Sequence, residues 1–467
     1  MDGSSESAAT RRHLRRNLST APQASTFPPI QQHDPSLEPL PIGSIQATNP
    51  ASVRCAKTAL ECAPVRIGWS SMLDGSIHPD YADVAAVLLR LIPKNSAGGA
   101  AVCVYHEQRK VVDIWGGTRD RDHNPWLEAT TAPSFSTTKG VISTLLHILV
   151  DQGRAAYDDP IAKHWPAFAA NGKAQITIRQ ALCHEAGLYR IDELITHAAE
   201  ILDWEHMKQL LADARPVHEP GVQHGYHALT YGWLIGGIIE SITGKPLQRV
   251  LQEELVDPLG LDGMFIGMPH NELYRRARLI TRDGIMTPIP ESDGWGASVR
   301  DWIEHGLAKL GVDFNEFRAA MALNEPFDWN AEATVQALIP AANGQFTARS
   351  LARMYAMIAN DGEIDGVRLL SRERVREMAE VQSKKRDMVV FVPMHWRMGY
   401  HRAFSFGTSA PSAFGHYGFG GSGGFCDPSR RLAVALTVNS GAGSPMGDAR
   451  MSRIARAAIK AVDRLRG

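Results

Sequence analysis

Apolar positions along the chain fall into two kinds of period. From Tyr81 to Ile92, Val84, Val87, Leu88 and Leu91 recur on one helical face. Gly99 to His106 and Lys110 to Trp115 are strand-like runs, and the polar Glu107, Gln108 and Arg109 between them predict a hairpin. Helical spacing returns over Ser136 to Gln152 through Val141, Leu145, Ile148 and Leu149, with Ser134 as the expected cap and Gly153 as the stop. The stretch from about 174 to 339 is mostly helical in character, and Thr347 to Asn360 is a further helix. The pattern then turns back to strands at Gly423 to Cys426 and Leu432 to Asn439, joined by a turn over Asp427 to Arg430, and closes with an amphipathic helix from Arg450 to Leu465. Strands at both ends with helices between predict an α+β fold: one antiparallel sheet built from both chain ends, flanked by helices, with an inserted helical subdomain. No tandem repeat is visible.

The first 66 residues break this regularity. They are rich in Ser, Pro, Ala and Gln, and such a segment buries too little apolar area to offset its ordering entropy. A flexible extension over 1–66 is expected, followed by a folded domain over 67–467. Its sheet part would take about 67–173 and 340–467, its helical part about 174–339. Arg11, Arg12, Arg15 and Arg16 are followed by Asn17, Ser19 and Thr20 rather than by an apolar run, so no export signal is read there and a cytoplasmic location is expected. No run of 18 apolar residues occurs, so no transmembrane segment is expected. A formal net charge of -1 gives no overall field for nucleic acid. Five scattered Cys provide neither a disulfide framework nor a metal knuckle.

Two serine motifs compete for chemistry. Gly420-Gly421-Ser422-Gly423-Gly424 matches G-x-S-x-G, but a turn and a strand follow it, and no His occurs after His416 to serve as the downstream base. It reads as a glycine-rich strand bend. Ser136-Thr137-Thr138-Lys139 is an S-x-x-K at a helix start. Residues three apart share a helix face, so the amine lies beside the hydroxyl, while the free N–H groups of the helix end favour a developing oxyanion. A serine hydroxyl is a poor nucleophile without such a neighbour.

The context of that second motif resembles the serine β-lactamase and penicillin-binding protein superfamily, on its class C-like branch, and within it family VIII carboxylesterases. The likeness runs over about 70 to 467. It is carried by Phe135-Ser136-Thr137-Thr138-Lys139-Gly140, by Asp159-Pro160 onward to Pro166, and by Leu182-Cys183-His184-Glu185-Ala186-Gly187-Leu188. Pro220-Gly221 then leads to Tyr226, followed by Tyr231-Gly232-Trp233, Thr243-Gly244-Lys245-Pro246-Leu247, Thr347 to Tyr355, and His416-Tyr417-Gly418.

The resemblance implies a β-lactamase/transpeptidase-like fold, with Ser136 as acylated nucleophile, Lys139 as proton acceptor, and Tyr226 as partner base and then acid to the leaving group. It implies an oxyanion hole from the N–H groups of Ser136 and Phe419, and an acyl pocket lined by His416 and Gly418. No metal or organic cofactor is implied. Lysine titrates near 10.4 and tyrosine near 10, so neither is basic alone at neutral pH. A nearby ammonium would favour phenolate and desolvation would favour neutral lysine, so the two are expected to share one proton. Two departures point away from β-lactams: Ala228 stands where class C enzymes carry an amide, and His416 where they carry a lysine. The expected function is therefore a serine carboxylesterase acting on small-molecule esters of small to medium acyl chains. A β-lactamase, a D-amino acid peptidase or an acyltransferase would use the same acyl-enzyme, and an inactive binding protein would have lost one of the three residues. Tyr231 reads as core, His184 as structural, and His224 and His227 as solvated. Trp295, Trp302, Phe314, Phe317, Phe327 and Trp329 either cover the site or form a helical core.

Overall fold

The computed structural model describes residues 65–66, 72–280, 314–321, 323, 325–441 and 449–467. They belong to one compact unit spanning 57–467. Its main sheet uses β1 (Val65–Arg66), β2 (Leu73–Ile77), β3 (Gly99–His106) and β4 (Arg109–Gly117) from the first part of the chain. The end of the chain supplies β5 (His401–Arg402), β6 (Phe414–Tyr417), β7 (Gly423–Asp427) and β8 (Leu432–Val438). The strand order is β1-β2-β4-β3-β8-β7-β6-β5, antiparallel throughout. The two chain ends join where β3 pairs β8, from Leu432 opposite His106 to Val438 opposite Ala100.

That seam shows why the strands read as apolar runs. Along β8, Leu432, Val434, Leu436 and Val438 pack on one side with α1 (Ala82–Leu91) and the closing helix Ala449–Leu465. Ala433 and Ala435 face the other side, with α2 (Thr137–Asp151) and the helix Ala348–Ala359. Both faces of the central strands are buried, so period-two alternation sorts residues between two cores rather than between core and water.

Four local expectations are corrected. The β3–β4 hairpin turns on two residues, Glu107 and Gln108, both at positive φ (49° and 68°). This is a type I′ turn without the usual Asn-Gly signal. Ser134 does not cap α2: its hydroxyl donates to Ala132 O (3.0 Å), and Ser136 holds the cap position. Val65 and Arg66, placed by their composition in the extension, pair with Ile77 and Ser76 at the sheet edge. His224 and His227 are buried, at 2% and 0% exposure, as taken up below. The rest of the 1–66 segment lies outside the described residues, as do Trp295 and Trp302 and the Phe314 side chain. Among the described residues no helix is long and apolar enough to cross a membrane.

Between the two strand groups the chain is largely helical, including Trp204–Asp213, Thr230–Thr243 and Phe314–Met321. Glycines set how closely this region and the sheet approach α2. A Cβ at Gly140 would lie 2.3 Å from the Tyr355 hydroxyl, one at Gly232 2.5 Å from Ala341 N, and one at Gly418 2.2 Å from Ser134 O. The last contact is backbone, which cannot swing away. Gly418→Ala is therefore expected to push β6 off the start of α2 and to lower stability by about 1–3 kcal/mol, the usual range for overpacking. Urea unfolding followed by circular dichroism checks this, and an unchanged midpoint contradicts the contact.

Candidate active site

Ser136 sits at the turn that opens α2. Phe135 before it is held at φ +43°, a left-handed conformation uncommon for a large side chain. The turn is closed by short-range bonds from Thr137 N to Ser134 O (3.1 Å), Thr138 N to Phe135 O (2.9 Å) and Lys139 N to Ser136 O (3.0 Å). The Thr138 hydroxyl donates to Phe135 O (2.6 Å) and accepts from Gly344 N (3.1 Å), tying the turn to the segment beyond the helical region.

Lys139, one turn along, is fully buried. Its Nζ lies 3.0 Å from Ser136 Oγ, 2.6 Å from Ala228 O and 3.0 Å from Ala341 O. Among the described residues no carboxylate pairs with it. Burial therefore holds this amine well below the ordinary lysine value. A neutral amine has two N–H bonds and one lone pair. In that form the two carbonyls would take the N–H bonds and the lone pair would face the Ser136 hydroxyl, whereas the ammonium would donate to all three oxygens.

Tyr226 completes the group. Its hydroxyl donates to Ser136 Oγ at 2.8 Å, and Lys139 Nζ stands 4.9 Å from its ring centre. The neighbouring main chain is held by His184: Gly225 N donates to His184 O (3.1 Å) and His227 N to His184 Nδ1 (3.1 Å). Burial pushes the Tyr226 phenol up, the bond to Ser136 opposes this, and Asp387 adds to the rise. Of the two opposing pulls on the shared proton, burial favours keeping it on the Tyr226 phenol. Burial works in the same sense on both groups, against the ammonium of Lys139 and against the phenolate of Tyr226.

Comparison with known proteins gives the family. The Beta-lactamase family model matches residues 84–459. The chain belongs to the beta-lactamase family. It is 37% identical over 369 residues to the esterase/beta-lactamase LipL of Mycobacterium tuberculosis, covering 78% of this chain and 82% of that one. A penicillin-binding protein homologue from Caulobacter crescentus superposes with a TM-score of 0.72 at 32% identity, over 83% of this chain and 99% of the other. A family VIII carboxylesterase does so with a TM-score of 0.72 at 30% identity and the same coverage. This beta-lactamase-family chain is accordingly a serine hydrolase, with the fold of its relatives.

In this hydrolase β6 brings the third motif alongside. His416 is 2% exposed, and its ring stacks on that of Tyr226 with centres 6.1 Å apart. Its Nδ1 donates to Tyr417 O (3.1 Å), which leaves Nε2 as a buried lone pair with no protein partner. Burial, with His401 and Lys139 nearby, holds this imidazole well below its usual pKa, so the position is uncharged. Gly418 follows against Ser134, and Phe419 stacks edge-on against Phe135 with centres 5.7 Å apart. Among the described residues no protein acceptor takes the N–H of Ser136 or of Phe419. Ser422 is elsewhere occupied: it is 1% exposed, and its hydroxyl accepts from Val438 N at 3.1 Å.

Of the remaining sequence expectations, Tyr231 is core, its hydroxyl 2.7 Å from Ser143 Oγ. His224 and His227 are not solvated. Their imidazoles satisfy buried main chain, His227 through Gly225 O (2.8 Å) and Leu188 N (3.0 Å), and His224 through Lys385 O (3.2 Å). Trp329 packs edge-on against Phe135 (5.5 Å), and Phe327 packs against Trp329 (5.0 Å). Sequence reasoning missed the carbonyls of Ala228 and Ala341, which no side-chain motif could signal. It also missed Asp387 and Trp396, which lie against Tyr226 but more than 150 residues from it in the chain.

The lowered pKa of Lys139 has a thermodynamic consequence. Between its lowered native pKa and the unfolded value near 10.4, the unfolded chain holds one more proton than the native one. Native stability from this group is therefore lost as pH falls through that window and regained as pH rises. Lys139→Met is expected to flatten the slope of unfolding free energy against pH below about 10. Denaturant titrations at several pH values read this, and equal slopes for the two proteins contradict a neutral Lys139.

Proposed function

We propose that this hydrolase is a carboxylesterase that cleaves esters of small to medium acyl chains through an acyl-enzyme on Ser136. The observation that carries the reading is the environment of the Ser136 hydroxyl, flanked by a buried amine at 3.0 Å and a phenol at 2.8 Å. As Ser136 Oγ attacks the ester carbonyl carbon, its proton passes to the Lys139 lone pair. The negative oxygen that forms meets the N–H groups of Ser136 and Phe419. When the carbon–oxygen bond of the alcohol breaks, Tyr226 supplies a proton to the departing alkoxide and is reprotonated at the expense of Lys139. Water then attacks the acyl-serine by the reverse sequence, releasing the acid and restoring Ser136.

The apolar side chains packed around Tyr226 and Phe135 support an apolar ester. Phe317, Met321, Val392 and Met394 are half-buried against the cluster that includes Tyr226 and Trp396, and Trp329 stands on the Phe135 side. A second reading, β-lactam hydrolysis, is favoured by the name of the mycobacterial relative, which pairs both activities. Ala228 and the uncharged His416 weigh against it, because the site then lacks polar anchors at the two positions where class C enzymes carry an amide and a lysine.

Two measurements test these readings. Ser136→Ala is expected to abolish labelling by a fluorophosphonate probe while Ser422→Ala retains it, and labelling that follows Ser422 contradicts the assignment. Short-chain p-nitrophenyl esters are expected to show far higher kcat/KM than a chromogenic cephalosporin, and comparable values would establish the second reading instead.

A further inference from the structure

Asp387 is fully buried, and among the described residues no lysine or arginine pairs with it. Its carboxylate is met by N–H groups instead. Oδ1 accepts from Tyr226 N (3.1 Å), Val389 N (2.8 Å) and Val390 N (3.0 Å), and Oδ2 accepts from the Trp396 indole Nε1 (3.0 Å). Burial pushes this carboxyl up and His224 opposes the rise, but with four N–H groups aimed at two oxygens a proton of its own would find no acceptor, so the geometry fits the carboxylate. The indole it holds lies nearly parallel to the Tyr226 ring, at 11° with centres 5.6 Å apart. His184 touches both rings, 5.0 Å from that of Tyr226 and 4.4 Å from that of Trp396.

A buried carboxylate without a lysine or arginine partner is costly to keep if its only task is to close a turn, which Asn or Ser would also do. Here one side chain reaches both the main chain of the tyrosine and the plate behind its ring. We infer that Asp387 is a positioning residue for Tyr226, its carboxylate fixing the tyrosine main chain and the Trp396 indole as one unit so that the phenol stays on Ser136. This rests on the reading of Tyr226 as the proton partner of Ser136.

The test is a double-mutant cycle in the full chain with a short-chain p-nitrophenyl ester. Asp387→Asn keeps an oxygen for the main-chain N–H groups but turns an amide N–H toward the indole N–H. It is expected to lower kcat by about tenfold to a hundredfold, the scale of a misplaced catalytic group, with KM within about twofold because the loss falls on the transition state. In a Tyr226→Phe background the same change is expected to have no further effect, since the phenol it positions is gone. An equal loss in both backgrounds, or wild-type kcat for Asp387→Asn, overturns the inference. Wild-type kcat for Tyr226→Phe alone is a different outcome: it removes the reading of Tyr226, and with it anything for Asp387 to position. Should Asp387→Asn not fold, Trp396→Phe removes only the indole donor and its polar contact. The same cycle then applies, with a smaller kcat loss that again vanishes in the Tyr226→Phe background, and a loss that persists there overturns the inference.

Discussion

A lysine amine buried without a carboxylate is the constraint on which the site depends. Lys139 is enclosed by two carbonyl oxygens and one serine hydroxyl. An ammonium in that cage would be a desolvated charge without a counter-charge, so burial favours the neutral amine, which can act as a base. The same burial keeps Tyr226 protonated and therefore a donor. One physical cause, exclusion of water, thus gives the two neighbours of Ser136 opposite roles. Neither role needs a fixed charge in the cleft, which suits an uncharged ester.

The fold supplies that enclosure from three directions. α2 carries Ser136 and Lys139 on one face. The helical region delivers Ala228 and Tyr226, and the segment just beyond it, packed against Gly232, delivers Ala341. The C-terminal strands deliver His416 and Gly418, with Tyr355 filling the space that a side chain at Gly140 would take. Removing close approach at any of these contacts would admit water and return Lys139 toward its ordinary protonation. In this sense the glycines of the motifs act on chemistry through packing.

Much of this was legible in the sequence, for reasons that differ by residue. The strands and long helices were visible because their apolar periods span several turns or pairs, and the S-x-x-K spacing placed Lys139 beside Ser136 because three residues make one helical turn. The order of the motifs added Tyr226 and His416. The hairpin at Glu107–Gln108 was misjudged because the sheet imposes positive φ on residues that do not advertise it. The histidines at 224 and 227 were misjudged because a polar side chain that satisfies buried main chain looks, in sequence, like one that faces water. Asp387 was invisible because it stands in an irregular segment, and its partner Tyr226 comes from a distant part of the chain.

The central claim is that Lys139 is an uncharged amine at neutral pH, ready to take the Ser136 proton. Carbon-13 NMR of protein labelled at lysine Cε, with the Lys139 signal assigned by its loss in Lys139→Met, measures this directly. The account predicts a Lys139 resonance at the neutral-amine position at pH 7, titrating well below the ordinary lysine value near 10.4. A Lys139 signal that stays at the ammonium position until it titrates with the surface lysines would contradict it.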